Sequence, residues 1–256
     1  MKIIIAGYGF VGKAVAKALR TKHEVVVVDP KYTTDTVADN HDADGLIICV
    51  DTPTLDGVCN IVNVAKVMDT VPIFMPVLIK STITPDVLIA MEELYINHSV
   101  VYNPEFLRAR TADQDFVDQK SCVLGGEDPE GFWQELFTSI LPNCKLFFHC
   151  TTTEAATVKY SVNAFLATKV AFFNQLYDIC QQNGADYKMV RQMITHDSRI
   201  GNSHTLVPGL DGERGFGGAC LPKDTDAFVQ YANNIHTPFS VLNESVEYNK
   251  KVRKNP

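Results

Sequence analysis

The first thirty residues contain the feature that most constrains the fold of this chain. Residues 3–6 form a short apolar run typical of a buried β-strand. They are followed by Gly7-Tyr8-Gly9-Phe10-Val11-Gly12 and by a helical pattern with its apolar residues on one face. A second apolar strand, at residues 25–28, ends in Asp29. Strand, glycine motif, helix, strand and terminal acid together form a dinucleotide-binding fingerprint, whereas glycines alone would also fit an accidental turn.

Each part of this fingerprint has a physical role in binding NAD. The glycines permit a tight turn and let a pyrophosphate approach the N-terminus of the helix. Asp29 is expected to accept hydrogen bonds from the adenosine ribose, which favours NAD over NADP. We therefore predict a cofactor-binding set that consists of Gly7, Tyr8, Gly9, Phe10, Val11, Gly12 and Asp29.

Strands and helices continue to alternate up to about residue 150. Further strands are predicted at residues 46–50, 77–80, 99–102, 122–124 and 145–149, with helices at 62–70, after Pro85 and at 132–140. This pattern predicts an α/β fold, a Rossmann-type doubly wound parallel sheet. Polar loops with Thr52, Ser81-Thr82 and Asn103-Pro104-Glu105 follow three strands, where ligands bind in such folds. Ordinary turn formation explains Thr52 and Thr82 equally well.

The second part of the sequence is helical. A long helix is predicted at residues 154–182, opened by a capping box of Thr151 and Glu154, and further helices at 186–196, 224–233 and 240–252. We predict an NAD-binding Rossmann domain at 1–150 and an all-α central domain at 151–256. Lys159 and Asn163 share one face of the long helix and need partners, either solvent or a site; the residues alone favour solvent.

A possible nucleophile lies in the segment from Gly215 to Asp224. Two glycines, Gly217 and Gly218, precede Cys220, and Lys223 and Asp224 follow it. A nearby cation favours the reactive thiolate, and an acid can transfer a proton or position a water. A buried structural cysteine is the alternative interpretation of the same residues.

Composition narrows the classes of partner. A formal charge of −7 and a pI near 5.5 argue against nucleic-acid binding. The seven cysteines lack CxxC spacing, so we expect neither a disulfide framework nor a metal site. Because we find neither a leader pattern nor an apolar span of 18 residues, we expect a cytoplasmic protein without a membrane segment.

Read jointly, the motifs resemble the UDP-glucose/GDP-mannose dehydrogenase family of NAD-dependent sugar-nucleotide dehydrogenases. The resemblance preserves the order of the family's motifs along the whole chain. They are Gly7-x-Gly9-x-x-Gly12, Lys80-Ser81-Thr82, Asn103-Pro104-Glu105-Phe106-Leu107, Lys159-x-x-x-Asn163-Ala164-Phe165, Arg199-Ile200-Gly201 and Gly215-Phe216-Gly217-Gly218-x-Cys220-x-x-Lys223-Asp224.

The resemblance implies oxidation of the C6 alcohol of a UDP-sugar, UDP-glucose above all, to a carboxylate with two NAD⁺. Cys220 would be the nucleophile, Lys159 and Asn163 would stabilise oxyanions, and Asp224, Thr82 and Glu105 would organise the water and the proton transfers. Whether Lys159 or Asp224 takes the first proton stays open.

The resemblance also assigns binding residues and a homodimer built on the long helix. The cofactor set gains Thr52, Ser81, Thr82 and Lys223, and the substrate set is Glu105, Phe106, Leu107, Lys159, Asn163, Arg199, Phe216 and Gly217. Arg199 would reach the substrate bound to the neighbouring subunit.

The chain departs from the family pattern near the substrate pocket and at its end. Ala109-Arg110 stand where the family has Glu-Gly, and extra residues occur at 208–214. The family's third domain has no counterpart, so we expect a truncated chain or a natural short form. The alternatives to a dehydrogenase are a non-catalytic NAD-binding or assembly subunit, and a two-electron hydroxyacid-type dehydrogenase in which Cys220 is incidental.

Overall fold

The computed structural model describes residues 1–55 and 57–253, and the chain folds into two compact units. The first unit contains residues 1–53 and 59–159, and the second contains 54–58 and 160–256. The division falls inside the long helix, about two turns beyond the predicted boundary at 150. The predicted domain 151–256 includes residues 254–256, which lie outside the described residues.

Strands and helices alternate up to residue 150, a part of the chain that belongs to the first unit except for residues 54–58. In chain order they are β1 (Lys2–Ala6), α1 (Phe10–Leu19), β2 (Glu24–Val28), β3 (Gly45–Ile48), the hairpin strands β4 (Thr54–Leu55) and β5 (Val58–Cys59), α2 (Val62–Met68), β6 (Val77–Ile79), α3 (Pro85–Leu94), β7 (Val100–Tyr102), α4 (Ala112–Asp118), β8 (Ser121–Gly125), α5 (Phe132–Ile140) and β9 (Leu146–Cys150). The hairpin and the polar helix α4, of which only Ala112 and Phe116 are buried, were not predicted.

Seven strands form one sheet in the order β2-β1-β3-β6-β7-β8-β9. Alternate residues of β1 belong to different apolar clusters: Ile3 and Ile5 pack on the face covered by α1, α4 and α5, and Ile4 on the face covered by α2 and α3. The predicted Rossmann-type doubly wound sheet is therefore confirmed. One junction differs, because β8 runs antiparallel to β7 with Tyr102 opposite Gly125. Hydrophobic patterning shows which residues are buried but not the direction of a strand.

Four helices make up most of the second unit and its connection. They are α6 (Thr152–Asn183), α7 (Tyr187–His196), α8 (Leu221–Asn234) and α9 (Ser240–Val252). The predicted capping box begins α6: Thr151 Oγ1 accepts from the Glu154 amide at 3.1 Å, and Glu154 Oε2 accepts from the Thr151 amide at 2.8 Å. Helix α8 begins three residues earlier than predicted, with Pro222 in its first turn, where proline is tolerated.

Candidate active site

The glycine-rich loop between β1 and α1 has the shape that a pyrophosphate requires. Gly7 has φ +92°, and a Cβ there would lie 2.7 Å from the backbone of Cys49 and Val50. A Cβ on Gly12 would collide with the carbonyl oxygen of Gly7. Gly9 is different, since no atom of the described residues outside its own chain neighbourhood comes within 4 Å of a Cβ placed there. No side chain of the described chain caps α1 at Gly9, so open space lies beside uncapped helix amides, which fits a pyrophosphate.

Asp29 follows β2 and is already hydrogen-bonded to backbone on both sides. Its Oδ2 accepts from the Tyr8 amide at 2.7 Å, and its Oδ1 accepts from the Lys31 amide at 2.9 Å. Each carboxylate oxygen has a second lone pair. Asp29 can therefore keep the loop in place and still accept a hydrogen bond from a ribose hydroxyl.

The hydroxyl groups of Thr52 and Ser81 brace the loops that follow β3 and β6. Thr52 donates to the carbonyl oxygen of Thr82 at 2.6 Å, and Ser81 donates to the carbonyl oxygen of Val50 at 2.6 Å. Each hydroxyl has one proton, so both residues are left with acceptor capacity only. Thr82 is half-buried in the same loop.

Lys80, at the end of β6, is a buried group that sequence reasoning treated only as part of a motif. Its Nζ donates to Asn103 Oδ1 at 2.6 Å, and Asn103 Nδ2 donates to the carbonyl oxygen of Val123 at 2.6 Å. Burial lowers the pKa of Lys80. This chain of bonds fixes the first residue of the Asn103–Arg108 loop. A lysine at the end of an apolar strand was the available signal.

The first of two buried polar clusters, the Lys159 cluster, consists of Lys159, Glu105 and Phe106. Lys159 Nζ donates to the carbonyl oxygen of Glu105 at 2.6 Å and to its Oε1 at 2.9 Å. The ammonium group also lies 5.6 Å from the ring centroid of Phe106. Glu105 Oε2 accepts from the amide of Leu107 at 2.7 Å, so the ion pair also fixes the loop. Both charged side chains are buried.

The second cluster, the Asn163 cluster, consists of Asn163, Asp224 and Lys223. Asn163 Nδ2 donates to Asp224 Oδ2 at 2.5 Å, and Lys223 Nζ donates to Asp224 Oδ1 at 2.6 Å. Asp224 is 1% exposed. The solvent alternative for Lys159 and Asn163 is therefore wrong, because both side chains are buried against carboxylates.

Cys220 is half-buried and immediately precedes α8. The preceding loop is held by Asn249 on α9, which accepts from the Phe216 amide at 2.7 Å and donates to its carbonyl oxygen at 2.9 Å. Nothing in the sequence pattern singled out Asn249. The Phe216 side chain packs in the interior with Val170 and Val246, so its role in substrate binding stays a prediction. Gly217 leaves space for Arg253, whose guanidinium would collide with a Cβ there.

Arg199 lies on the surface of the second unit, after α7. Its Nη2 donates to Asp197 Oδ2 at 2.6 Å, and its side chain is 87% exposed. Lys169 holds the same segment, because its Nζ donates to the carbonyl oxygen of Ile200 at 2.7 Å. The position leaves Arg199 accessible; its reach to a neighbouring subunit stays a prediction.

Comparison with known proteins assigns the chain to a family. Residues 30–141 match the NAD binding domain of the UDP-glucose/GDP-mannose dehydrogenase family, and residues 153–251 match the central domain of that family. The two matches together span most of the chain. The chain therefore belongs to the UDP-glucose/GDP-mannose dehydrogenase family, and NAD is the cofactor of its first domain.

The similar proteins include UDP-glucose 6-dehydrogenases of bacteria. UDP-glucose 6-dehydrogenase TuaD of Bacillus subtilis is 38% identical over 159 residues, which are 60% of this chain and 32% of that protein. UDP-glucose 6-dehydrogenase of Rickettsia typhi is 29% identical over 231 residues, 86% of this chain and 52% of that protein. The chain thus spans about a third to a half of the length of these relatives.

A solved structure shows the same fold. The UDP-glucose dehydrogenase of the archaeon Pyrobaculum islandicum superposes with a TM-score of 0.85 and 24% identity, covering 98% of this chain and 68% of that one. None of the helices in the described part of the chain is both long and apolar enough to cross a membrane.

Proposed function

We propose that this chain is an NAD-dependent sugar-nucleotide 6-dehydrogenase that oxidises a UDP-sugar, UDP-glucose first among them, to the uronic acid. The observation that carries the proposal is the burial of Lys159 and Asn163 against carboxylates. Burial of polar side chains is costly unless each of them is paired, as Lys159 is with Glu105 and Asn163 with Asp224. An apolar core would be stable without these pairs, so we attribute them to a site that needs proton donors and acceptors. The names of the relatives supply the substrate class.

The first oxidation removes a proton and a hydride from the C6 alcohol and gives an aldehyde. When bound, NAD⁺ would supply the hydride acceptor, and one molecule of NAD⁺ is needed for each of the two oxidations. Glu105 and Asp224 are the carboxylates that we assign to the proton transfers, with Thr82 orienting the water that is needed later. Among the described residues, only Glu105 accepts from Lys159, so the third N–H of the ammonium group can donate to a developing oxyanion. Asn163 has the same role.

Cys220 carries the second half of the reaction. Its sulfur attacks the aldehyde carbon, forms a C–S bond and gives a thiohemiacetal, whose loss of hydride and proton produces a thioester. Water attacks the thioester, releases the carboxylate and returns the thiol. The position of Cys220 at the N-terminal end of α8 supports this role, because the helix dipole stabilises negative charge there.

Counting NADH per sugar oxidised tests the proposal. Purified chain is mixed with NAD⁺ and a panel of UDP- and GDP-sugars, and we expect two NADH for each UDP-glucose consumed. One NADH would indicate the hydroxyacid-type alternative, and none, with NAD binding intact, would indicate an assembly subunit.

Replacing the nucleophile separates the covalent route from cofactor binding. We expect Cys220→Ser to reduce acid formation by at least about 1,000-fold while leaving the Kd for NAD⁺ unchanged. The control is Cys180→Ala, in the apolar cluster of Phe173 and Tyr187, which should retain activity. Undiminished acid formation by Cys220→Ser would eliminate the covalent route.

We also propose a homodimer formed through α6. Phe165, Phe172 and Ile179 lie seven residues apart on this helix and are 68%, 60% and 58% exposed. A seven-residue apolar repeat is typical of helices that pack side by side. We expect sedimentation equilibrium to give twice the 28.4 kDa chain mass, and Phe172→Glu to give a monomer. Phe74→Glu, at a 96% exposed position of the first unit, is the control, and a monomeric unmodified chain contradicts the proposal.

The cytoplasmic location and the sequence-based domain limits stay predictions.

A further inference from the structure

Three cationic side chains contact two tyrosines near Asp29, the acid that follows β2. They are Lys13 on α1, Arg20 directly after α1 and Lys31, two residues beyond Asp29, and all three are exposed. In residues 1–55 and 57–253, none of the three forms an ion pair with a carboxylate. Exposed cations on a chain with a net charge of −7 would ordinarily have acidic partners available. Within the described residues, no carboxylate therefore forms an ion pair with these three cations at this edge of the first unit.

Two tyrosine rings hold the cations close together. Lys13 Nζ lies 4.9 Å from the ring centroid of Tyr32 and 5.7 Å from that of Tyr8, and donates to the Tyr32 hydroxyl at 3.2 Å. Arg20 Nη1 donates to the Tyr8 hydroxyl at 3.1 Å. Lys31 Nζ lies 5.8 Å from the Tyr32 centroid, and the two rings meet edge to face at 5.3 Å. Ring faces attract cations without cancelling their charge.

Asp29 is hydrogen-bonded to two residues of this group. Its carboxylate accepts from the amides of Tyr8 and Lys31, which are residues of the same cationic and aromatic cluster. In a Rossmann domain the acid at this position faces the ribose 2′-hydroxyl of NAD, and cations nearby are what accommodate the 2′-phosphate of NADP. This chain has both: the acid that selects NAD, and cations that would suit NADP.

We propose that Lys13, Arg20 and Lys31 form a latent 2′-phosphate subsite, and that the charge of Asp29 alone keeps the site selective for NAD. With Asp29 in place, a 2′-phosphate meets a like charge, which acts as a repulsive element against NADP. Without that charge, the same edge presents three cations to a dianionic group. The inference depends on dinucleotide binding by the first unit and not on the oxidation chemistry, so either can fail without the other.

The test measures binding rather than turnover. NADH and NADPH are titrated into the purified chain, and Kd is obtained from the fluorescence of the bound nicotinamide. For the unmodified chain we expect NADPH to bind at least about 10-fold more weakly than NADH. Asp29→Asn removes the charge and keeps one acceptor for a backbone amide. We expect it to weaken NADH binding about 5-fold and to strengthen NADPH binding at least about 10-fold.

A second substitution at Asp29 distinguishes the loss of charge from a local change in the loop. Asp29→Ser also removes the charge but changes the hydrogen-bonding geometry, so both variants should move the preference in the same direction. Lys13→Gln with Lys31→Gln, added to either Asp29 variant, should abolish the gain in NADPH affinity and leave the Kd for NADH within about 2-fold. Lys17→Gln is the matched control, because Lys17 is on the same helix but is paired with Asp113 and should change neither Kd.

Two results would overturn the proposal. One is an Asp29 variant that still binds NADH but shows no gain for NADPH. The other is a gain that persists after Lys13 and Lys31 are neutralised. If neither Asp29 variant folds, Lys13→Gln with Lys31→Gln in the unmodified chain decides the question, because it should weaken NADPH binding further without affecting NADH. An unchanged Kd for NADPH there would also reject the subsite.

Discussion

The Lys159 cluster and the Asn163 cluster both bury a carboxylate, but different groups compensate its charge. Glu105 is balanced by a cation that is itself buried, with side-chain exposures of 7% and 4%. Asp224 is 1% exposed, and its cation, Lys223, is 25% exposed and partly hydrated. The uncharged amide of Asn163 donates a further hydrogen bond to Asp224. The first carboxylate is therefore compensated by a buried cation and the Leu107 amide, whereas the second is compensated by a partly exposed cation and the Asn163 amide.

The difference has a consequence for function. A buried ion pair is rigid because separating the charges leaves each of them without solvation. A carboxylate whose cation is partly hydrated can change its contacts at lower cost, because the cation keeps part of its solvation. Within the proposed reaction, the Lys159 cluster is suited to fixed electrostatic stabilisation, and Asp224 to proton transfer.

The largest expected effect comes from removing Lys159. Lys159→Ala leaves Glu105 buried without its cation, so we expect the free energy of unfolding to fall by about 3–5 kcal/mol, measured by urea denaturation. The control is Lys17→Ala, whose ion pair with Asp113 is exposed and should be worth less than about 1 kcal/mol.

The corresponding variant of the second cluster should be milder. Asn163→Ala removes one hydrogen bond from Asp224 but leaves Lys223 in contact, so we expect the free energy of unfolding to fall by about 1–3 kcal/mol, measured in the same way. Equal losses of stability for Lys159→Ala and Asn163→Ala would contradict the comparison of the two clusters.

Thiol reactivity gives the smallest effect and compares one cysteine from each unit. Burial raises the pKa of the Cys122 thiol to about 12, and its side chain is 3% exposed. Iodoacetamide reacts with the thiolate, so Cys122 should be nearly inert at pH 7.5. Half-buried Cys220 should be alkylated at least about 10-fold faster, as followed by peptide mass spectrometry. Comparable rates would mean that the loop around Cys220 is closed to reagents.

Local sequence signals predicted most of the regular elements. The helix Phe132–Ile140 and the helix Ser240–Val252 have the predicted bounds, and the capping box of Thr151 and Glu154 marks the start of α6. These features depend on periodicity and on bonds between residues three or four positions apart. The short helix α4 was missed because two buried residues are too few to make a period visible.

The motifs predicted the candidate site residues, but the sequence did not predict which groups surround their side chains. Lys159 and Asn163 share a helix face in any case; whether that face meets water or carboxylates depends on Glu105 and Asp224, which lie 54 and 61 residues away from them. Asn249 holds the loop before Cys220 across 33 residues, and no short-range pattern indicates that contact.

Backbone geometry and neighbouring residues were enough to predict from sequence the glycine loop, most of the strands and helices in their order, and the helix face that Lys159 and Asn163 share. The direction of β8, the interior position of Phe216, and the partners that make Lys159 and Asn163 buried rather than solvated became known only from the folded chain. Those outcomes depend on packing between segments far apart in sequence, because a buried charge is stable only where a distant segment supplies its partner.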